Sequence, residues 1–131
     1  MKKVAFVCVH NSCRSQMAEG WAKTLGKGII EVYSAGTEDY HEVKPLAVEV
    51  MKEVGISLTD QYPKRLEDIP LPDILITMGC NAECPWVPNE YQADWGLEDP
   101  SGKGIEAFRV TRDLIKHKVL ELIEMVKTNT L

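Results

Sequence analysis

The chain alternates between short apolar runs and longer stretches in which apolar residues recur at helical spacing. Three runs rich in apolar and β-branched residues are typical of buried strands. They occupy residues 4–7, 29–36 and 73–78, and residues 91–95 predict a short fourth strand. The pattern therefore predicts about four short strands, each separated from the next by other elements.

Helical patterns lie between and after these strands. Apolar residues recur every three or four positions in a stretch that starts at Ser15, in residues 45–55 and in residues 102–127. Pro45 suits the first turn of the second helix, and Gly55 suits its end. The segment 57–71 holds two prolines and mixed charges, which predicts a loop with one short helical turn at residues 66–68.

Strands that alternate with helices favour a parallel sheet with both faces covered. At 131 residues the chain has the length of one domain. We find no internal repeat, low-complexity segment or linker that would divide it. The sequence therefore predicts one three-layer α/β domain over residues 1–131, with a parallel sheet of about four strands and helices on both faces.

Composition narrows the classes of partner. The net charge is −5, which disfavours a nucleic-acid-binding role because that role requires a basic face. No apolar run approaches the length that spans a bilayer, and the run after Met1-Lys2-Lys3 is too short for a signal peptide. We therefore expect a cytoplasmic protein. In that reducing compartment its four cysteines are expected to be catalytic, metal-binding or free rather than a permanent disulfide framework.

The connection between the first strand and the first helix begins at Cys8 and reaches Arg14. A tight loop of this kind turns successive backbone N–H groups toward one point, where the positive end of the helix dipole adds to the field. The planar guanidinium of Arg14 suits two oxygens of a tetrahedral oxyanion. A cysteine in such a field ionises readily, so Cys8 is predicted to attack the central atom of a bound oxyanion.

An alternative interpretation makes Cys8 a buried cysteine that happens to precede an arginine, but the strand–loop–helix context favours the nucleophile. The remaining loop residues are then the predicted anion-binding site. Asn11 and Ser15 are expected to support the loop, and Cys13 is expected to be a buried spacer that faces away from the anion. The predicted substrate-binding residues are Val9, His10, Asn11, Ser12, Cys13, Arg14 and Ser15.

Two further cysteines, Cys80 and Cys84, follow the third strand. They are interpretable as a core residue and an incidental thiol, as half of a zinc site, or as a redox relay. Zinc is disfavoured because no second pair of Cys or His residues lies nearby in sequence, and no metal site is predicted. If the first and third strands are neighbours, they lie roughly 4.8 Å apart, which brings Cys80 toward disulfide distance from Cys8.

Asp99 precedes the last helix in the run Glu98-Asp99-Pro100-Ser101-Gly102. It suits a helix-capping carboxylate and equally a general acid. A bound dianion would raise the pKa of a nearby carboxyl and so favour the second role.

The loop resembles the phosphate-binding loop of the low-molecular-weight tyrosine phosphatase fold. Its continuation from Asn11 to Gly20 resembles the arsenate reductases of that fold more than the phosphatases, which usually have proline where this chain has Gln16. Both groups place an Asp-Pro pair as at Asp99, but the phosphatases usually follow it with tyrosine where this chain has Ser101.

The resemblance implies reduction of arsenate by a thioredoxin-coupled enzyme, with Cys8 as nucleophile, Arg14 and Asp99 as catalytic partners, and Cys80 and Cys84 as relay thiols. It implies no tightly bound cofactor, and thioredoxin as external reductant and partner. The relay cysteines of that group are commonly several residues further apart, which leaves glutaredoxin with glutathione as an alternative donor. Two other functions stay open: a tyrosine phosphatase and a non-catalytic oxyanion or redox sensor.

Overall fold

The computed structural model describes residues 1–38, 40–79 and 87–130. Strands and α-helices alternate through most of the chain, with one short 3-10 helix before β3. The strands are β1 Lys2–Cys8, β2 Ile30–Gly36, β3 Ile74–Thr77 and β4 Tyr91–Asp94. The α-helices are α1 Arg14–Leu25, α2 Pro45–Glu53 and α3 Ile105–Lys127, and the 3-10 helix is Leu66–Asp68.

The four strands form one parallel sheet in the order β2-β1-β3-β4. The register of β1 places Cys8 opposite Gly36 of β2 and Val7 opposite Thr77 of β3. The carboxyl ends of β1, β2 and β3 therefore meet at the same edge of the sheet, where ligands of such sheets usually bind. The prediction of a parallel sheet with about four strands is confirmed.

Both faces of the sheet are covered, by layers of unequal thickness. Alternate residues of β1, such as Val4 and Phe6, point into a large core formed with α1, α2 and α3. The residues between them, such as Ala5 and Val7, belong to a smaller cluster against which Leu66 and Ile69 pack. The predicted three-layer arrangement is thus confirmed, with the α-helices on one face and the 3-10 segment on the other.

Two helix starts differ from the predicted ones. The first helix begins at Arg14, one residue before Ser15, and no side chain caps it. The last helix begins at Ile105 rather than at Gly102. Gly102 and Gly104 have φ angles of 80° and 89°, a left-handed conformation in which a right-handed helix does not form.

Ion pairs join α2 to α3 on the surface of the large core. A carboxylate oxygen of Glu53 lies 2.6 Å from Arg109 Nη2, and the other lies 2.8 Å from Arg112 Nη1. The hydrogen bonds from Arg109, with those from Arg112, lower the pKa of Glu53 to about 2.

Within the described residues, no helix is both long enough and apolar enough to cross a membrane.

Candidate functional site

A cavity of about 450 Å³ opens at the carboxyl edge of the sheet, directly above Cys8. Cys8 itself is 8% exposed and lies at the end of β1. Five of the seven predicted binding residues line this cavity with it: Val9, His10, Ser12, Cys13 and Arg14. Asn11 and Ser15 do not line the cavity, because both are fully buried beneath the loop. The structure therefore separates the predicted loop into a lining layer and a supporting layer.

The loop between Cys8 and Arg14 is held from two sides. The carbonyl of Val9 accepts hydrogen bonds from the backbone N–H groups of Thr37 and Glu38, both at 2.9 Å. The carbonyl of Ser12 accepts one from the backbone N–H of Lys44 at 2.7 Å. Asn11 has a φ angle of 54°, a left-handed conformation that asparagine tolerates. The segment after β2 thus fixes the curvature that the anion-binding hypothesis requires.

Cys8 is in direct contact with Ser15. The Cys8 Sγ atom lies 2.8 Å from Ser15 Oγ, and Ser15 Oγ accepts a hydrogen bond from Asn11 Nδ2, also at 2.8 Å. Either atom suits the donor role while Cys8 is a thiol, whereas with a Cys8 thiolate the Ser15 hydroxyl is the donor. Ser15 lies inside the first turn of α1 and does not cap it, so its hydroxyl serves the cysteine rather than the helix end.

Arg14 lines the cavity beside Cys8, and the backbone of two other segments fixes its guanidinium. Its Nη1 donates to the carbonyl of Leu97 at 2.7 Å and to that of Met78 at 3.3 Å. A Cβ atom built on Gly79 would lie 3.2 Å from Arg14 Nη1 and 2.8 Å from the Leu97 carbonyl oxygen. Only a residue without a side chain therefore fits beside the held guanidinium.

Asp99 and Ser101 also line the cavity. Burial raises the pKa of Asp99. Hydrogen bonds from Ser101 and the charges of Arg14 and Lys44 lower the pKa by more than burial raises it, so the pKa of Asp99 is below its usual value. The Ser101 backbone N–H donates to Asp99 Oδ1 at 3.0 Å. The protein's own groups thus favour the carboxylate, and a raised pKa requires the negative charge of a bound anion.

Tyr40 and Lys44 also line the cavity, and the sequence analysis did not single them out. Lys44 Nζ donates to Tyr40 Oη at 2.9 Å, and this hydrogen bond raises the pKa of Lys44 and keeps it cationic. A sequence signal for both residues existed. The loop after β2 ends on the same sheet edge as Cys8, because parallel strands share their carboxyl edge, and Lys44 directly precedes the predicted helix start at Pro45.

Cys13 is buried, as predicted, at 4% exposure, yet it contributes to the cavity lining rather than facing away from it. Burial raises the pKa of this thiol strongly, and the charges of Asp99 and Cys8 add to the shift. Cys13 is therefore a protonated neighbour of Cys8.

Cys80 and Cys84 lie outside the described residues, so their geometry stays a prediction. The condition on which it depends is met, because β1 and β3 are hydrogen-bonded neighbours. The Met78 backbone N–H donates to the Val7 carbonyl at 3.1 Å.

Over residues 1–38, 40–79 and 87–130, no three His, Cys, Asp or Glu side chains cluster as a metal site would require.

The structure thus combines a parallel α/β sheet, a Cys-x5-Arg loop at its carboxyl edge and an aspartate on the same cavity, an arrangement typical of the phosphatase-loop class. Residues 3–131 match the low molecular weight phosphotyrosine protein phosphatase family. The chain therefore belongs to that family.

Its relatives within the family include arsenate reductases. A glutaredoxin arsenate reductase from Synechocystis sp. is 46% identical over 131 residues, which cover 96% of this chain and 99% of the relative. An arsenate reductase from Staphylococcus aureus is 42% identical over 120 residues, which cover 88% and 91% of the two chains. A solved structure of an arsenate reductase in the phosphate binding state superposes with a TM-score of 0.88 at 46% identity, covering 96% and 99%. The resemblance to arsenate reductases of this fold is thus confirmed.

Proposed function

We propose that this protein reduces arsenate to arsenite. The observation that carries the proposal is the position of Cys8. Its sulfur lies 2.8 Å from a serine hydroxyl, in a cavity that also contains the guanidinium of Arg14 and the carboxylate of Asp99. Relatives with 46% and 42% identity over nearly the whole chain are arsenate reductases, which supports arsenate as the oxyanion.

In the first step, arsenate binds to the backbone N–H groups of the loop and to Arg14. The Cys8 thiolate attacks arsenic and forms a sulfur–arsenic bond, and one arsenate oxygen leaves as water after Asp99 gives it a proton. The dianion supplies the negative charge that raises the pKa of Asp99, because like charges disfavour ionisation of a carboxyl. Charge from Arg14 stabilises the transition state.

In the second step, the Cys80 thiolate attacks the sulfur of Cys8. The sulfur–arsenic bond breaks and its electron pair stays on arsenic, which leaves as arsenite. Two electrons pass from the two thiolates to arsenic, and a Cys8–Cys80 disulfide forms. Cys84 then attacks Cys80, which releases the Cys8 thiolate and leaves a Cys80–Cys84 disulfide. Gly79, which precedes Cys80 in the chain, lies beside Arg14, and this supports the approach of the relay to the cavity.

An external thiol protein reduces the final disulfide. The motifs that resemble thioredoxin-coupled reductases favour thioredoxin, whereas the relative from Synechocystis carries glutaredoxin in its name. We propose thioredoxin as the donor and glutaredoxin with glutathione as the competing one. NADPH consumption with each purified donor system, run in parallel on one preparation, identifies the donor as the system that sustains arsenate-dependent turnover.

Serine variants of the two relay cysteines test the mechanism. Cys84→Ser is expected to release about one arsenite per protein and then stop as a Cys8–Cys80 disulfide, and Cys80→Ser is expected to release none. Ser57→Ala, at an exposed position outside the cavity lining, is the control and is expected to keep multiple turnover. Sustained arsenite release by Cys80→Ser would contradict the relay.

Phosphate monoester hydrolysis is the second candidate function. Tyr40 favours it, because its ring lies at the cavity 4.8 Å from the ring of His10 and offers an aromatic wall to an aryl group. Hydrolysis uses Cys8, Arg14 and Asp99 but has no step for Cys80. Hydrolysis of an aryl phosphate that continues undiminished in Cys80→Ser, combined with no arsenate reduction by the unmodified protein, would favour the phosphatase.

A further inference from the structure

We propose that Gln16 is a positioning residue for the Cys8 nucleophile and that it acts through Asn11 and Ser15. This inference rests on the proposed role of Cys8. Asn11, Ser15 and Gln16 are all fully buried, so their polar atoms depend on one another rather than on water for hydrogen bonds. The sequence comparison had singled out Gln16 as a difference from the phosphatases, and the proposed reaction steps do not use it.

The orientation of the Gln16 side chain is set from the far side, by Gln61. Gln61 Nε2 donates to Gln16 Oε1 at 2.7 Å and to the Gln16 carbonyl at 3.0 Å. The oxygen of the Gln16 amide therefore faces Gln61, and its nitrogen faces the loop. Gln61 is half-buried, so it is the outer end of the chain of hydrogen bonds.

The Gln16 nitrogen in turn fixes Asn11. Gln16 Nε2 lies 2.9 Å from both the backbone carbonyl and the Oδ1 atom of Asn11, and 3.0 Å from the carbonyl of Tyr62. The backbone N–H of Lys64 also donates to Asn11 Oδ1, at 3.0 Å. Two donors thus hold the oxygen end of the Asn11 amide away from Ser15, and the amide nitrogen must face the serine.

The donor-to-acceptor direction of these hydrogen bonds stays the same from Asn11 to the sulfur of Cys8. Asn11 Nδ2 donates to Ser15 Oγ, which lies 2.8 Å from Cys8 Sγ. A Cys8 thiolate has no hydrogen to give, so in that form Ser15 is the donor to the sulfur. Every hydrogen bond from Gln61 to Cys8 therefore points the same way, and bonds aligned in this manner strengthen one another. A hydrogen bond to a charged acceptor is also among the stronger ones. The alignment specifically stabilises the thiolate form of Cys8.

Without the Gln16 amide, one of the two donors that set the orientation of the Asn11 amide would be lost. Asn11 Oδ1 would keep only the donor from Lys64, and the buried amide could turn so that its oxygen faced Ser15. The serine hydrogen would then go to Asn11, and the thiolate would lose its donor.

Among the described residues, the charged and titratable side chains that line the cavity with Cys8 are not members of this chain of hydrogen bonds, which Lys64 joins through its backbone N–H. They come from the loop itself, from the segment between β2 and α2 and from the segment before α3. These groups are His10, Cys13, Arg14, Tyr40, Lys44 and Asp99. None of them is hydrogen-bonded to Gln16, whose side-chain partners are Asn11, Tyr62 and Gln61. A change at Gln16 therefore reaches Cys8 through Ser15 and leaves the cavity charges in place.

The test is the rate at which iodoacetamide alkylates Cys8 as a function of pH, followed on the Cys8 peptide by mass spectrometry. Gln16→Met keeps the side-chain size and removes the hydrogen bonds. It is expected to slow alkylation at pH 7 by about tenfold, the lower end of the range for one hydrogen bond to a charged group. The rate at high pH, where the thiolate forms without help, is expected to be unchanged. Gln92→Met, on β4, is the matched control and is expected to follow the unmodified protein.

A coupled-variant analysis separates positioning from a general structural effect. If Gln16 acts through Ser15, the double variant Gln16→Met/Ser15→Ala has the same pH profile as Ser15→Ala alone. Additive shifts would overturn the proposal, and so would a Gln16→Met profile that coincides with that of the unmodified protein. A lower rate at all pH values, including the high-pH plateau, would likewise overturn it, because that result indicates a collapsed loop.

Gln61→Met provides a second variant, since its half-buried position tolerates substitution should Gln16→Met fail to fold. It is expected to shift the profile in the same direction by a smaller factor, and an unshifted profile would count against the proposal. Alkylation requires no arsenate. A protein that fails to reduce arsenate would therefore refute the proposed function while leaving this test intact.

Discussion

Gly36 offers a sharp test of how the second strand supports the anion-binding loop. It is the last residue of β2 and lies opposite Cys8 in the sheet. A Cβ atom built there would lie 2.7 Å from the Val9 carbonyl oxygen and 2.9 Å from the carbonyl carbon of His10. It would also lie 3.0 Å from the backbone nitrogen of Asn11. Gly36→Ala therefore forces the loop backbone to move.

The cost follows from what holds that backbone. The Val9 carbonyl accepts hydrogen bonds from Thr37 and Glu38, both at 2.9 Å, and cannot shift without lengthening them. Each backbone hydrogen bond contributes about 0.5–1.5 kcal/mol, and overpacking of a tight site costs about 1–3 kcal/mol. We expect Gly36→Ala to lower the free energy of unfolding by about 1–3 kcal/mol. A catalytic loop displaced by about 1 Å is expected to lose about 100-fold in kcat/KM.

Urea unfolding measures the change in the free energy of unfolding. The displacement of the loop is measured by the affinity for inorganic phosphate, which is determined from the protection of Cys8 against alkylation. Gly20→Ala is the matched control. Its Cβ atom would also lie close to other atoms, with Leu58 Cδ2 at 2.9 Å, but those atoms are the ends of flexible side chains in the core. Alanine also favours the helix that contains Gly20, by up to about 1 kcal/mol.

We therefore expect Gly20→Ala to bind phosphate normally and Gly36→Ala to bind it much more weakly. Equal phosphate affinity in the two variants would refute the reasoning, because it would mean that the loop does not depend on the bare backbone of β2.

Two further predictions concern charged groups. Lys44→Met is expected to weaken phosphate binding by about fivefold at low salt, the size of effect expected for a partly exposed ionic contact. Lys52→Met, at the far end of α2, is the control and is expected to leave phosphate binding unchanged. Equal losses of affinity in the two variants would indicate an effect of net charge and contradict the prediction. For Glu53, whose pKa is lowered to about 2 first of all by Arg109, the sign follows from linkage. A carboxyl with a lowered pKa stabilises the fold above its unfolded value of 4.5 and loses that contribution as pH falls toward 2. The melting temperature of Glu53→Gln should therefore be below that of the unmodified protein at pH 7 and converge with it between pH 4.5 and 2; a constant difference would contradict this.

Much of the site was predictable because its chemistry is local in the chain. Cys8 and Arg14 belong to one strand–loop–helix unit, and the spacing alone brings them to one anion-binding loop. Asp99 was predictable only through its motif, since it lies 85 positions after Arg14, the end of the loop. Tyr40 and Lys44 were not predicted: the sequence indicates that their loop follows a strand ending at the same sheet edge as Cys8, but no pattern shows which of its polar residues line the cavity. Their place depends on the pairing of β1 with β2.

The sequence by itself determined the order of elements, the parallel sheet, the identity of the nucleophile candidate and the resemblance to arsenate reductases. Those follow from periodicity and from short-range spacing, which act within a few residues. Only the tertiary structure decided the boundary of the first helix, the role of the Ser15 hydroxyl and the direction of the hydrogen bonds from Gln61 to Cys8. Hydrogen-bond direction depends on which donors meet which acceptors across segments 45 residues apart in the chain. Burial excludes water from those contacts, so packing alone settles which partners meet.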